Sequence, residues 1–282
     1  MKIIGCMLCR NEDWVIGLSA RVALRWCDAL VVCLHECSDR SAEIVRKLKG
    51  EVSIIEVEGE WDEMRHRQLM LERAREIGAT HVCIVDADEV LTGDLLNCEL
   101  VRDFVDQTPV DGILYLPGYN LRNGIYQYHA NGVWSNRWFA MAFPDNSGYS
   151  WKGDRFHHRE PFGHSGVAYK PLAQGAGGIM HLWGANERRL LAKHRMYRMT
   201  ERLRWPDKPV YEIERLYSKA TEGEPPRDLP AFWRYNAVPD EWWVSYAGLM
   251  KYLHLDAVPW QEEWCERTLA THGVKTFAGL KI

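Results

Sequence analysis

The 282-residue chain has no apolar run approaching the length of a membrane span, so a membrane-spanning protein is not expected. Its first residues, MKIIGCMLCRNEDW, reach Arg10, Asn11, Glu12 and Asp13 before enough apolar length for a signal peptide has accumulated. A strong excess of charge is missing as well. A formal net charge of -4 and an isoelectric point near 6.3 supply no global attraction for nucleic acid or an anionic membrane, although a local basic patch is compatible with them. Cys6 and Cys9 form a C-x-x-C, yet no second pair and no nearby histidine completes a zinc site. Cys6, Cys33 and Cys83 lie in apolar, strand-like runs, where cysteine acts as a small hydrophobe. Internal repeats and low-complexity segments are also lacking. These absences predict a cytoplasmic globular protein with reduced thiols, at most peripheral to a membrane.

What is present is ordinary in amount, 46% hydrophobic and 26% charged, and informative in its order. KIIGCML precedes NEDWVIGLSARVALRW, ALVVCL precedes SAEIVRKLKG, VSIIEV precedes WDEMRHRQLMLERAREIG, and HVCIVDADEVL follows. The apolar runs are continuous and β-branched rather than alternating, as in strands of a parallel sheet covered on both faces. Leu71, Ala74 and Ile77 give the third helical segment a narrow apolar stripe. The pattern predicts an α/β fold, doubly wound around a mostly parallel sheet, with ligands at the carboxyl ends of the strands. Beyond residue 110 the pattern loosens. DGILYLPGYN reads as one more strand, and an aromatic, Gly- and Asn-rich stretch runs on toward residue 180. Glu187 to Arg204 reads as a helix, with Ala192, Met196, Met199 and Leu203 on one face. The expected organisation is one α/β domain over 1–205, with halves 1–110 and 111–205, and a helical, aromatic-rich C-terminal extension over 206–282.

Polar residues gather at the strand exits. Asn11 and Glu12 follow the first strand, His35, Glu36 and Asp39 the second, and Asp86, Asp88 and Glu89 the fourth. Three carboxylates at the end of a buried strand repel one another and are costly to desolvate, so a compensating positive charge is required. Two aspartates flanking one residue suit an oxygen-ligand site for Mg²⁺ or Mn²⁺, with positions left for phosphates. A helix N-cap with a first-turn acid is the alternative reading of the same residues.

CRNED after the first strand, HECSDRSAEIV after the second and VDADEVL after the fourth resemble the nucleotide-sugar half of family 2 glycosyltransferases, enzymes of the Rossmann-like GT-A fold. GDRFHHREPFG and GGIMHLWGANERRLLAKHRMY are similar to later segments of one branch of that family. The resemblance runs from residue 3 to residue 200 or so and leaves the remainder of the chain without a motif. It implies a transferase that takes a sugar from a nucleotide-sugar donor, UDP-sugar first, with Mn²⁺ or Mg²⁺ as cofactor at the D-x-D. On that resemblance Asp86 and Asp88 are metal residues, with His181 as a third ligand and Asp86 alternatively on the ribose or a metal-bound water. Arg10, Asn11, Glu12, Glu36, Asp39 and Arg65 are then donor-binding candidates. The second loop departs from the family pattern: many relatives place an Asp there to hold uracil or ribose, whereas this chain has His35 and Glu36, which leaves the base open.

An inverting transfer needs a carboxylate to take the acceptor proton. Glu160 in HHREPF is the first candidate and Asp154 in KGDRF the second, each with an ion pair to Arg155 or Arg159 as its alternative role. His157 and His158 are candidates for orienting the acceptor, expected to be a glycan or lipid-linked saccharide. Trp134, Trp138, Trp151 and Trp183 read as sugar platforms or as core. Arg188, Arg195, Arg198 and Arg202 form one stripe that suits a diphosphate or anionic acceptor, or simply a solvated basic face. Two other functions stay open. One is the same donor chemistry on a hydroxymethylated DNA base, with the stripe on phosphates. The other is a non-catalytic sugar-nucleotide or glycan-binding module.

Overall fold

The computed structural model describes residues 1–97, 100–146, 148–153, 155, 158–221 and 234–282. The chain begins β1 (Ile3–Cys9), α1 (Ile16–Ala23), β2 (Ala29–His35), α2 (Ser41–Arg46), β3 (Val52–Val57), α3 (Glu63–Glu76) and β4 (His81–Ile84). It continues with β5 (Glu89–Leu91), α4 (Gly93–Asn97), α5 (Leu100–Asp106), β6 (Ile113–Arg122), β7 (Gln127–His129), β8 (Arg137–Pro144), β9 (Ala168–Tyr169) and β10 (Ile179–His181). The described elements end with α6 (Glu187–Arg204), α7 (Val210–Thr221), β11 (Tyr235–Ala237) and α8 (Trp260–His272), besides short 3-10 turns. Among the described residues no helix is long and apolar enough to cross a membrane.

Contacts divide the chain into two compact units. The first gathers Met1–Gly118, Arg137–His181 and Pro239–His254 around a sheet ordered β3-β2-β1-β4-β8-β6. β1 pairs in parallel with β2 and β4, and β2 with β3, while β8 runs antiparallel to both β4 and β6. Both faces are covered because successive side chains alternate. Met7, Leu30, Val32 and Leu34 meet Ile16 and Ala20 of α1 on one face, with Val101 and Val105 of α5. Ile4, Leu8, Val31 and Cys33 meet Met64, Met70, Leu71 and Ala74 of α3 on the other. Each such aliphatic side chain contributes roughly 1.5–3 kcal/mol on burial, which explains why the runs are continuous. Gly5 interrupts them for space, since a Cβ there would lie 2.6 Å from Leu30 Cδ2. The doubly wound α/β expectation therefore holds, with an antiparallel flank at β8 and β6.

The second unit gathers Tyr119–Asn136, Leu182–Val238 and Leu255–Ile282. Helix α6 spans Glu187–Arg204 as its spacing predicts, and Asn186 caps it by accepting from Arg189 N at 2.9 Å. Met199, Ile213, Tyr217, Cys265 and Phe277 form the core of its helices. The two units interleave along the chain, whereas a cut at residue 205 follows chain order, because segments remote in sequence share a core. The described cysteines are free thiols, and Cys9 faces Cys37, with 3.9 Å between sulfurs, rather than Cys6.

Candidate active site

The loops leaving β1 and β2 are stitched together by their own polar side chains. Asn11 and Glu36 adopt left-handed backbone, with φ of 54° and 43°, which turns each loop sharply off its strand. Asn11 Oδ1 accepts from Ser38 N at 2.7 Å and Asp39 N at 3.2 Å. Asp39 accepts from Asp13 N at 2.9 Å and Ser41 N at 2.8 Å, and Ser41 Oγ accepts from Glu12 N at 2.9 Å. Asn11 and Asp39 thus fix the loop shape with oxygens already committed to backbone donors. Glu36 accepts from Gly59 N at 3.1 Å and pairs with Arg10 at 3.4 Å.

Beneath this pair lies a ring cluster. His35 and His66 are 4.9 Å apart between centroids, and Trp61 packs edge-on to both at 5.1 and 5.3 Å. The Arg10 guanidinium sits 5.9 Å from the Trp61 centroid. Both imidazoles are fully buried. Burial, then the neighbouring His35, pulls His66 down to about 4, and burial with Arg10 lowers His35. The cluster is therefore neutral near pH 7.

At the exit of β4, the acids find arginines. Arg67 on α3 donates to Glu63 Oε1 at 3.0 Å and to Asp86 Oδ1 at 3.2 Å. Arg159 reaches Asp86 Oδ2 at 2.9 Å and Glu89 Oε1 at 2.7 Å, and also donates to the carbonyls of Ile84 and Ala140. Burial pushes the Asp86 carboxyl up, but Arg67 and Arg159 outweigh it and hold Asp86 below the usual range. At Glu89, with 4% of its side chain exposed, burial prevails over Arg159 and the pKa rises. Guanidiniums thus supply at Asp86 and Glu89 the positive charge that the sequence assigned to a divalent metal. Arginine suits the task because it stays protonated and its planar fork bridges two carboxylates.

Asp88 lies two residues further along and meets a histidine. Its Oδ1 lies 3.3 Å from His181 Nε2, a proximity set by antiparallel pairing of β5 with β10 that places His181 opposite Glu89. Phe139 packs edge-on to His181 at 5.7 Å. Among the described residues no group of three or more His, Cys, Asp or Glu side chains is arranged to hold a metal. Both Asp86 oxygens are engaged by arginines, so the Asp88–His181 pair is the part of the expected ligand set that fits an ion. Adjacent ligands on a six-coordinate ion are about 3 Å apart, and such ions complete their shell with phosphate and water oxygens.

Glu160 follows Arg159 directly and keeps 41% of its side chain exposed. Burial, and then the neighbouring Glu160 carboxylate, raises the Tyr115 pKa. His164 Nε2 lies 3.9 Å from Glu160 Oε2. His158 stacks on Phe162 at 5.0 Å, and burial followed by Arg155 lowers its pKa. Asp154 and His157 lie outside the described residues. Arg65 is exposed, and its backbone N–H is what Asp62 caps at the start of α3. Trp151 and Trp183 are core residues and Trp134 packs on Trp183, which leaves Trp138 half-buried with Lys170 Nζ 4.8 Å from its ring centroid.

The arginine stripe of α6 is consumed within the second unit. Arg188 pairs with Glu262 at 2.6 Å, Arg195 with Glu266 at 2.9 Å and Arg198 with Glu214 at 3.0 Å, while Arg202 donates to the carbonyls of Pro206 and Lys208. These bonds hold α6 to its neighbours and remove the support the stripe gave to a DNA acceptor. Sequence reasoning missed Arg67 and weighed Arg159 only as an ion-pair partner of Glu160 or Asp154, whereas it pairs with Asp86 and Glu89. Arg67 shares the i, i+4, i+7 face of Leu71 and Ala74, a signal that it points inward. Arg159 carries no local signal, since its partners lie some seventy residues away in the chain.

No family model matches the sequence, and no curated protein is significantly similar to it. Among solved structures, Staphylococcus aureus TarS residues 1–349 is similar with a TM-score of 0.44 and 13% identity, over 79% of this chain and 71% of that one. The same protein in complex with UDP matches with a TM-score of 0.35 and 20% identity over 42% of this chain. The chain spans only 36% of the length of that complex's protein. Glucosyl-3-phosphoglycerate synthase from Mycobacterium tuberculosis, in complex with Mg²⁺ and UDP, is similar with a TM-score of 0.30 and 10% identity over 42% of this chain and 43% of that one. At these values the likeness concerns the course of the backbone, and the chemistry rests on the side chains described above.

Proposed function

We propose that the protein is a GT-A-type glycosyltransferase that moves a sugar, with inversion, from a UDP-sugar to the hydroxyl of a glycan or lipid-linked saccharide. The observation that carries this reading is the position of Arg159. It joins Asp86 and Glu89 at the β4 exit, and the next residue is the half-exposed carboxylate Glu160. The arginine that braces the donor-side acids and the candidate base are thereby adjacent in the chain.

In this reading the stitched loops of Asn11, Glu12 and Asp39 form a rigid wall for the nucleoside, with Arg10, Glu36 and Arg65 at its edge. Asp88 and His181 would hold Mn²⁺ or Mg²⁺, which supplies positive charge where a diphosphate leaves. Arg67 and Arg159 hold Asp86 and Glu89 in place and keep the β4 exit from repelling a polyanion. Glu160 takes the proton from the attacking hydroxyl, with Tyr115 as its neighbour.

The test is thermal stability with UDP, GDP, ADP and CDP, with and without Mn²⁺, on wild type and Asp88→Ala. A ligand that binds the native state alone raises its stability, about 2.7 kcal/mol at a hundredfold excess over Kd. A metal-dependent rise with one nucleotide, lost in Asp88→Ala, is the expected result. No rise with any nucleotide would remove the transferase reading. Binding without sugar transfer or donor hydrolysis would leave a sugar-nucleotide-binding module.

A further inference from the structure

Lys170 and Trp138, with Tyr115 and Glu160, form an array, and the first two have no part in the transfer proposed above. β9 lies parallel to β6, with Leu114 opposite Tyr169, so Lys170 emerges alongside Tyr115. On the other side of β6, Pro117 pairs with Trp138 and Tyr115 with Ala140, which puts Tyr115 and Trp138 on one face of the sheet. Lys170 is exposed and forms no ion pair among the described residues. Its ammonium lies 4.8 Å from the Trp138 centroid and 5.8 Å from that of Tyr115. Tyr115 thus stands between the two, with its ring near the ammonium and Glu160 as its charged neighbour.

We infer that this array is the acceptor subsite and that it selects an anionic sugar, one bearing a phosphate or a carboxylate. The inference rests on the transferase reading for its role but not for its chemistry. An exposed cation over an aromatic face is weakly held, and a charge-assisted bond to an anion is stronger. The anion therefore draws Lys170 off the indole and uncovers an aromatic face for the apolar side of a pyranose. A hydroxyl of the same sugar, displaced by the length of the tyrosine, then meets Glu160. A neutral sugar leaves Lys170 over the rings and competes with it for the same surface.

Calorimetric titration tests this with glucose, galactose and mannose, their 6-phosphates and their uronates, each with and without UDP and Mn²⁺. At least one anionic sugar is expected to bind roughly tenfold or more tightly than its neutral parent. Lys170→Ala should abolish that preference, and Lys170→Arg should retain most of it. Trp138→Ala should weaken neutral and anionic sugars alike. The 6-phosphates and uronates separate phosphate from carboxylate recognition. Lys170 is exposed, so loss of fold does not confound its variant, and an unchanged melting temperature checks this. Equal binding of neutral and anionic sugars, no sugar binding, or a preference that survives Lys170→Ala would overturn the inference. Nucleotide binding alongside any of those results would leave the transferase reading standing. Anionic sugar binding without any nucleotide response would do the reverse.

Discussion

Two regions of the chain are rich in arginine facing acid, and they use the pairing differently. In the second unit, three arginines of the α6 stripe meet one glutamate each, and the pairs hold helices together. At the β4 exit, two arginines converge on three acids, Glu63, Asp86 and Glu89, and Asp88 beside them lies 3.3 Å from His181. A row of charges on one helix that finds its complement on neighbouring helices is structural mortar. Acids that share too few arginines, at the carboxyl end of a parallel sheet, are where the proposed donor site is drawn.

The sharpest way to break the comparison is at Glu160. Glu160→Gln is expected to lower kcat by about 10²–10⁴-fold with the melting temperature unchanged, since the side chain is partly exposed and its loss orphans no buried charge. Transfer kinetics and a melting curve check this together, and activity that persists would return Glu160 to a surface role. Next comes Arg67→Met, which removes the cation that Glu63 and Asp86 share in a buried setting. A loss of about 3–5 kcal/mol in denaturant unfolding is expected.

The third prediction concerns pH. His66 titrates at 6.5 when unfolded and at about 4 when folded, so below pH 6.5 the unfolded chain takes up a proton that the folded one refuses. The depressed value makes this contribution full above 6.5 and lost as pH falls toward 4, up to about 3 kcal/mol. Stability measured from pH 7 to pH 4 should fall less steeply in His66→Phe than in wild type. The smallest effect belongs to the stripe. Arg188→Ala removes an exposed pair and should leave both the melting temperature and nucleotide binding unchanged. A large loss of nucleotide binding in that variant would restore the stripe as a ligand site.

Much of the fold was legible because it follows from local rhythm. The continuous apolar runs at Ile3–Cys9 and Ala29–His35 are buried along their whole length, and α6 begins and ends where its spacing indicates. The acids of VDADEVL could be placed at a strand exit for the same reason. Their partners could not. Arg65 and Arg67 sit in one helix turn, and the sequence reading favoured the first, whereas burial on the sheet face makes the second the one that reaches Asp86. The tryptophans were equally ambiguous, because whether an indole is platform or core depends on what packs over it.

The sequence by itself determined the α/β class, the winding of helices over both faces and the carboxyl edge where polar residues collect, since periodicity and β-branching report burial residue by residue. The tertiary structure alone decided which charge meets which. Arg159 bridges Asp86 and Glu89 across some seventy residues, His181 meets Asp88 across a strand pair, and the α6 arginines find acids on other helices. Those pairings are set by distance in space and by the cost of leaving a buried charge alone, and neither quantity is written in local order.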